Sequence, residues 1–351
     1  MPTRRRRAAL ALLIPLALLA PACGDDSGSD EAGGGDPDAS GESIVVYSGR
    51  DLELVEPLFE DFTEASGIEI EVRDGDSAEL AAQLLEEGDG TEADVFFSQE
   101  VGAIGALSKA GLMGSLPDEV VQRVDERFQP KESTDWVGIT GRSRVIVMNP
   151  DLVDEAPTSV LDLTDEQYRG QVAWVPGNAS FQAFITAFRV SVGEEEAAQW
   201  LEDMKANDAQ IYEGNTEVLE AVNNGDIGLG LINHYYWART LPEVGGPEEI
   251  GSDLIFPEGD DPGALVNATA AGVLAGAEDD PAALEFIEYL LSEEGQTYFA
   301  TETYEYPLIE GVDDPADIPA LEELEGPDLD LTDLDSLEET QALLTEAGLL
   351  S

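Results

Sequence analysis

The chain has 351 residues, with Lys+Arg 16, Asp+Glu 76 and one histidine, for a formal net charge of −60. This length points to two domains, and 42% hydrophobic residues supply true cores rather than general disorder. The charge excludes a basic nucleic-acid surface, because phosphate neutralisation needs Lys and Arg, and it points to cationic partners. Only Lys109, Lys131 and Lys205 are lysines, and a lysine-poor acidic surface suits work in high salt.

Arg4 to Arg7 precede an apolar run over residues 8–22. The run is too short for a comfortable membrane span and suits a secretory signal. It ends in Leu19-Ala20-Pro21-Ala22-Cys23, and Cys23 is the only cysteine. This ending resembles the lipobox of bacterial lipoproteins, in which the cysteine is lipidated and becomes the mature N-terminus. Ala20 stands where leucine is more usual. A plain secretory signal with a stray cysteine is the alternative, and the arginine run also suggests twin-arginine export, which nothing after it supports. Residues 1–23 are therefore expected to be a lipoprotein signal peptide. Residues 24–43, rich in Gly, Ser and Asp, read as a disordered acidic linker.

Residues 44–47 (IVVY) form a short apolar strand pattern. Leu54, Val55, Leu58, Phe59 and Phe62 recur at helical spacing, and Gly67 is a stop. Ile68, Ile70 and Val72 alternate as a strand. Asp76 or Ser77 caps a helix carrying Leu80, Leu84 and Leu85. The strand DVFF (94–97) and a helix through Ile104 and Leu107 follow. This alternation predicts a parallel sheet covered by helices. Further strands are predicted at 144–148, 172–175, 211–212, 227–232 and 254–256. Helices are predicted at 181–192, 194–205, 216–223 and, from Pro281, to about Thr301. An acidic, proline-punctuated tail runs from Asp313 to Asp335, and residues 340–350 form a last short helix. Asp328, Asp330, Asp333 and Asp335 lie close together, but their spacing fails the EF-hand pattern, so they read as a solvated acidic face.

Nucleophilic catalysis would have to use His234, since no other histidine exists. The nucleophile-elbow, P-loop, dinucleotide, CxxC and HExxH patterns are all missing. The sequence therefore predicts a binding protein, not an enzyme. Its most informative stretch is Asn233-His234-Tyr235-Tyr236-Trp237, directly after a predicted strand, where α/β sheets bind ligands. A phenolate is a hard, basic oxygen donor, and Fe³⁺ is hard enough to displace a phenolic proton. Neighbours on a strand point to opposite faces, so both phenols reach one ion only if the backbone leaves the strand here. An aromatic cluster lining a core or cleft wall is the alternative.

The chain resembles the ferric-ion-binding proteins of bacterial ABC importers. The similar segments are VYSGRD (46–51), ADVFFSQE (93–100), GRSRVIVMN (141–149), GNTEVLEAV (214–222), NHYYW (233–237), DPGALVN (261–267), EYPL (305–308) and the closing LLTEAGL. Their order and spacing cover nearly all of the chain after the linker. The resemblance implies an α/β, two-domain, class II periplasmic-binding-protein fold with a hinge and an interdomain cleft. Domain 1 would comprise 44–142 and 266–316, and domain 2 would comprise 143–265 and 317–351. The cargo would be Fe³⁺ with a synergistic anion, carbonate, phosphate or similar. Tyr235 and Tyr236 would be the phenolate ligands. Asp51 stands where relatives often carry a histidine ligand. Gln99 stands at the place of a carboxylate ligand, with Glu100 beside it. Asn178, Ala179, Ser180, Asn215, Asn233, Arg142 and Arg144 would contact the anion. His234 reads as structural, with a ligand role as the alternative, and Trp237, Tyr304, Tyr306 and Tyr47 read as packing residues. The partners would be an ABC permease and its ATPase, reached by a monomer lipid-anchored through Cys23 at the outer face of the cytoplasmic membrane. The same fold with another cargo, such as a ferric chelate, a small anion, thiamine or a polyamine, is the second reading.

Overall fold

The computed structural model describes residues 42–350. The expected signal, Cys23 and nearly all of the linker lie outside the described residues. The strands are β1 (Ser43–Ser48), β2 (Glu69–Asp74), β3 (Val95–Ser98), β4 (Val137–Met148), β5 (Val172–Trp174), β6 (Gln210–Ile211), β7 (Leu229–Asn233), β8 (Asp253–Ile255), β9 (Val266–Val273) and β10 (Tyr306–Pro307). The helices are α1 (Leu52–Ser66), α2 (Ser77–Glu87), α3 (Val101–Lys109), α4 (Asp118–Val121), α5 (Ala179–Val192), α6 (Glu194–Ala206), α7 (Asn215–Asn223), α8 (His234–Val244), α9 (Pro281–Leu290), α10 (Glu293–Tyr298) and α11 (Leu337–Glu346).

The strands run in the order β2-β1-β3-β9-β4-β7-β5-β6, with β8 and β10 also on β4. The parallel sheet expected from the N-terminal alternation exists as β2-β1-β3. β9 and β4 then join it antiparallel, so the sheet is mixed. β4 is shared. Its first half pairs β9 as far as Ser143 opposite Val266, and from Arg144 opposite Asn233 it pairs β7. Two groups of helices and strands thus hang on one long strand, buried along its whole length.

Local signals explain most elements. Asp76 caps α2, accepting from the Ala78 and Glu79 N–H groups. Gly67 ends α1 at φ 79°, in the left-handed region that glycine tolerates. Pro281 opens α9 without leaving a donor unpaired. The helix expected to continue to about Thr301 instead breaks after Leu290. Ser292 caps α10, a π-helical turn spans Phe299–Thr303, and Tyr304 sits at φ 57°. Gly295 is needed at this break, because a Cβ there would lie 2.5 Å from the Tyr289 carbonyl oxygen.

One core packs α1, α9 and β3 around Phe62, Phe97 and Phe286. A second stacks Trp174, Phe181, Phe184, Phe188 and Trp200. A third places Trp237 with Val145, Val147, Val218 and Ile232. The tail meets two of them: Leu324, Leu331 and Leu334 enter the first core, while Leu344 and Ala347 enter the second. It crosses α3 at Gly102 and Gly105, where side chains would collide with the Leu334 and Thr332 carbonyl oxygens.

Candidate metal centre

β7 ends at Asn233, and His234 begins α8. The backbone therefore leaves the strand where both phenols need it to. The rings of Tyr235 and Tyr236 stack, with centroids 4.5 Å apart and planes 28° apart. Tyr235 is buried and Tyr236 is half-buried. Burial, reinforced by the Tyr236 phenol, pushes the Tyr235 hydroxyl well above its ordinary value, although Arg142 pulls the other way.

β4 carries Arg142 and Arg144, which share a face because they are two residues apart. Both are almost fully buried. Arg142 Nη2 lies 3.1 Å from Glu100 Oε2, and Asn267 on β9 donates to the same carboxylate oxygen. The Arg144 guanidinium sits over Phe181 and Phe184, 5.9 and 5.7 Å from their centroids. Its Nη2 donates to Ser180 Oγ at 3.3 Å. Glu100, Arg142, Arg144, Ser180, Asn233 and Asn267 surround a cavity of about 20 Å³, room for about one water-sized group.

The bonding here is incomplete. Nε and Nη1 of both Arg142 and Arg144, and Glu100 Oε1, are buried without a partner. Buried polar atoms are nearly always hydrogen-bonded, so this concentration calls for a partner, ordered water or a ligand. Burial lowers Arg144 to about 10. Burial raises the Glu100 carboxyl against the pull of Arg142.

The other expected residues divide. Ser180 and Asn233 line the cavity. Asn178 caps α5, and its Oδ1 accepts from the Ser180 N–H at 3.0 Å; Ala179 is the first residue of that helix. Asn215, at the start of α7, is buried with both side-chain amide atoms unpartnered. Gln99 is turned aside, its Oε1 accepting from Arg50 Nη1 at 3.3 Å. Asp51 is exposed and caps α1, accepting from the Glu53 N–H at 3.1 Å. It lines a separate open groove with Arg50, Glu53 and Asp74.

Sequence reasoning gave no role to Arg50, Glu305 or Asn267. Arg50 Nη2 lies 2.7 Å from Glu305 Oε1, with both side chains buried, and Thr140 donates to the other carboxylate oxygen. Burial opposes ionisation of Glu305, yet Arg50 and Arg142 hold its carboxyl below the usual value. VYSGRD and EYPL contain these two residues, but nothing local links positions 255 apart. His234 is fully buried, and burial lowers its pKa to about 4.

Residues 57–326 match the model of the family described as bacterial extracellular solute-binding protein. The chain belongs to that family. This solute-binding protein is 33% identical over 316 residues to the Fe(3+)-binding periplasmic protein of Serratia marcescens, covering 88% of this chain and 91% of the relative. It is 32% identical over 309 residues to the major ferric iron-binding protein of Neisseria meningitidis, covering 87% and 93%. The crystal structure of iron-bound HitA from Pseudomonas aeruginosa matches with TM-score 0.79 and 33% identity, over 88% of this chain and 99% of that one. The solute-binding protein thus has the class II, two-domain α/β architecture that its sequence predicts. It is a transport component, not an enzyme.

Proposed function

We propose that this solute-binding protein captures ferric iron in its interdomain cleft, through Tyr235, Tyr236 and a small anion, and hands it to a membrane permease. The stacked phenols beside two incompletely bonded guanidinium groups carry the reading. Two phenolates suit a hard, highly charged cation. The names of the Serratia and Neisseria relatives point to the same ion. Among the buried charges of the described residues at the site, three guanidinium groups, Arg50, Arg142 and Arg144, stand with two carboxyl groups, Glu100 and Glu305. The surplus positive charge favours an anion, carbonate or phosphate in size. Arg142, Arg144, Ser180, Asn233 and Asn215 would hold it, with the start of α5, through Asn178 and Ala179, adding its dipole. Glu100, with one free oxygen, is the better acid ligand. Gln99 is engaged by Arg50, and Asp51 stays on the rim.

Loading is a hinge closure about β4 and β9, the strands that cross between domain 1 (44–142, 266–316) and domain 2 (143–265); the tail, expected on domain 2, instead packs Leu324, Leu331 and Leu334 on the core of domain 1 and only Leu344 and Ala347 on domain 2. The closed form presents itself to an ABC permease and its ATPase. A lipid on Cys23 holds the exported monomer at the outer face of the cytoplasmic membrane.

Ferric iron added to the purified protein is expected to produce a phenolate-to-iron charge-transfer band. Tyr235→Phe combined with Tyr236→Phe is expected to abolish it. A wild-type protein that stays colourless, or that thiamine, a polyamine or phosphate stabilises against heat while ferric iron does not, overturns the reading. Each bound phenol must release its proton, and the Tyr235 proton is held tightly. Affinity therefore rises with pH and falls on acidification, which citrate competition in neutral and mildly acidic buffer measures.

A further inference from the structure

His234 begins the helix that carries both tyrosines, and both of its ring nitrogens are engaged. Nδ1 accepts the Ser143 N–H at 3.1 Å. Nε2 donates to the Tyr304 carbonyl oxygen at 2.9 Å. Only the neutral tautomer with its proton on Nε2 makes both bonds, and it leaves no lone pair for a metal.

The two partners occupy telling positions. Ser143 is the last residue of β4 paired with β9; its neighbour Arg144 already pairs with Asn233. Tyr304 closes the π-helical turn in a left-handed conformation. After it, Glu305 is tied to Arg50 and Thr140, and Tyr306 pairs with Gly141 of β4. The imidazole also lies against the Tyr306 ring, centroids 4.6 Å apart at 31°, and meets the Tyr235 ring edge-on at 5.9 Å. One side chain thus joins the crossing strand, the returning 304–306 segment and the helix of the tyrosine pair.

We propose that His234 is a positioning residue that locks Tyr235 and Tyr236 to the hinge, so that hinge closure and phenol geometry move as one. The proposal rests on the ferric reading of the tyrosine pair. A phenylalanine here would fill the volume but orphan the buried Ser143 N–H and the half-buried Tyr304 carbonyl. A glutamine amide offers one acceptor and one donor and can restore part of the lock.

The test uses the full exported chain as wild type, His234→Phe, His234→Gln and His234→Asn. Three quantities are read: ferric affinity by citrate competition, the position of the charge-transfer band at saturating iron, and the thermal midpoint without iron. His234→Phe is expected to lose about tenfold in ferric affinity, the scale of orphaning a buried polar group, and to shift the band. His234→Gln is expected to recover most of both. If the phenylalanine variant fails to fold, His234→Asn, too short to reach both partners, takes its place against His234→Gln. Variants that only lower the thermal midpoint, with affinity and band unchanged, overturn the proposal. A colourless wild type overturns the ferric reading itself and this proposal with it. A coloured wild type with unaltered variants overturns this proposal alone.

Discussion

The two sides of the site are built on opposite principles. On the side of β1, β3 and the 304–306 segment, each charged group is tied to another: Arg50 holds Glu305 and Gln99, Thr140 holds the far oxygen of Glu305, and Arg142 with Asn267 holds Glu100, although Arg142 Nε and Nη1 and Glu100 Oε1, at the edge of the cavity, stay without partners. Across β4, toward α5, α7 and α8, the groups stand open. Arg144 has two nitrogens without partners, Asn215 has both amide atoms free, and the phenols stack on each other. A network of charge-paired groups stabilises the apo protein and resists change. An open set destabilises the apo protein and is completed by a ligand. The first side is a frame, and the second receives.

Breaking the frame is expected to have the largest effect. Glu305→Gln leaves the Arg50 guanidinium charged in a buried site, which costs roughly 3 kcal/mol of apo stability. The pH dependence gives a second check. The folded carboxyl lies below its ordinary value of 4.5. Its contribution is therefore complete above that value and is lost as pH falls through the folded one. Urea unfolding of the apo protein is expected to show a lower midpoint for the variant at neutral pH, and a difference that narrows in acid. A variant as stable as wild type at neutral pH breaks the comparison, because Arg50 and Glu305 would then be dispensable to the frame.

Opening the receiving side further gives the reverse sign. Arg144→Met removes a buried charge with unpartnered N–H groups, so the apo protein is expected to gain stability, about 2 °C in thermal midpoint. It also loses an anion contact, so ferric affinity in carbonate buffer is expected to fall about tenfold. A fall in both quantities would place Arg144 with the frame and move the boundary between the two sides.

The comparison also explains what the sequence could show. Strands β1 and β3, helices α1 and α2 and the start of α9 were legible, because apolar periodicity, Asp76, Gly67 and Pro281 act locally. The Tyr235-Tyr236 stack at the start of α8 was legible because the two residues are adjacent letters after a strand. Strand β9 was not. Its sequence VNATAAGV holds valine only at its two ends, with small residues and one threonine between, so no run of large apolar residues marks it as a strand. Small residues are required there, since a Cβ on Gly272 would lie 2.6 Å from the Asp135 carbonyl oxygen. The first half of β4 was hidden by Gly141, Arg142 and Ser143, which read as loop but are buried because Arg142 is paired with Glu100. The Arg50–Glu305 pair joins the two ends of the fold, and no local pattern announces it.

The smallest effect is expected at Asp51, and it sharpens the rim of the receiving side. Asp51 is exposed, and its carboxylate accepts the Glu53 N–H at the start of α1. Asparagine caps a helix about as well as aspartate, while alanine loses about 1 kcal/mol. Asp51→Asn therefore keeps the local fold and deletes only the charge. If Asp51 merely lines the groove, ferric affinity changes by less than about threefold, because an exposed charge is screened by water and salt. If Asp51 completes the iron shell on closure, the loss is as large as that of either phenol, and the charge-transfer band shifts with it. Asp51→Ala separates the two readings from a folding defect: it lowers apo stability through the cap in either case, whereas only a ligand role makes both substitutions lose the same affinity.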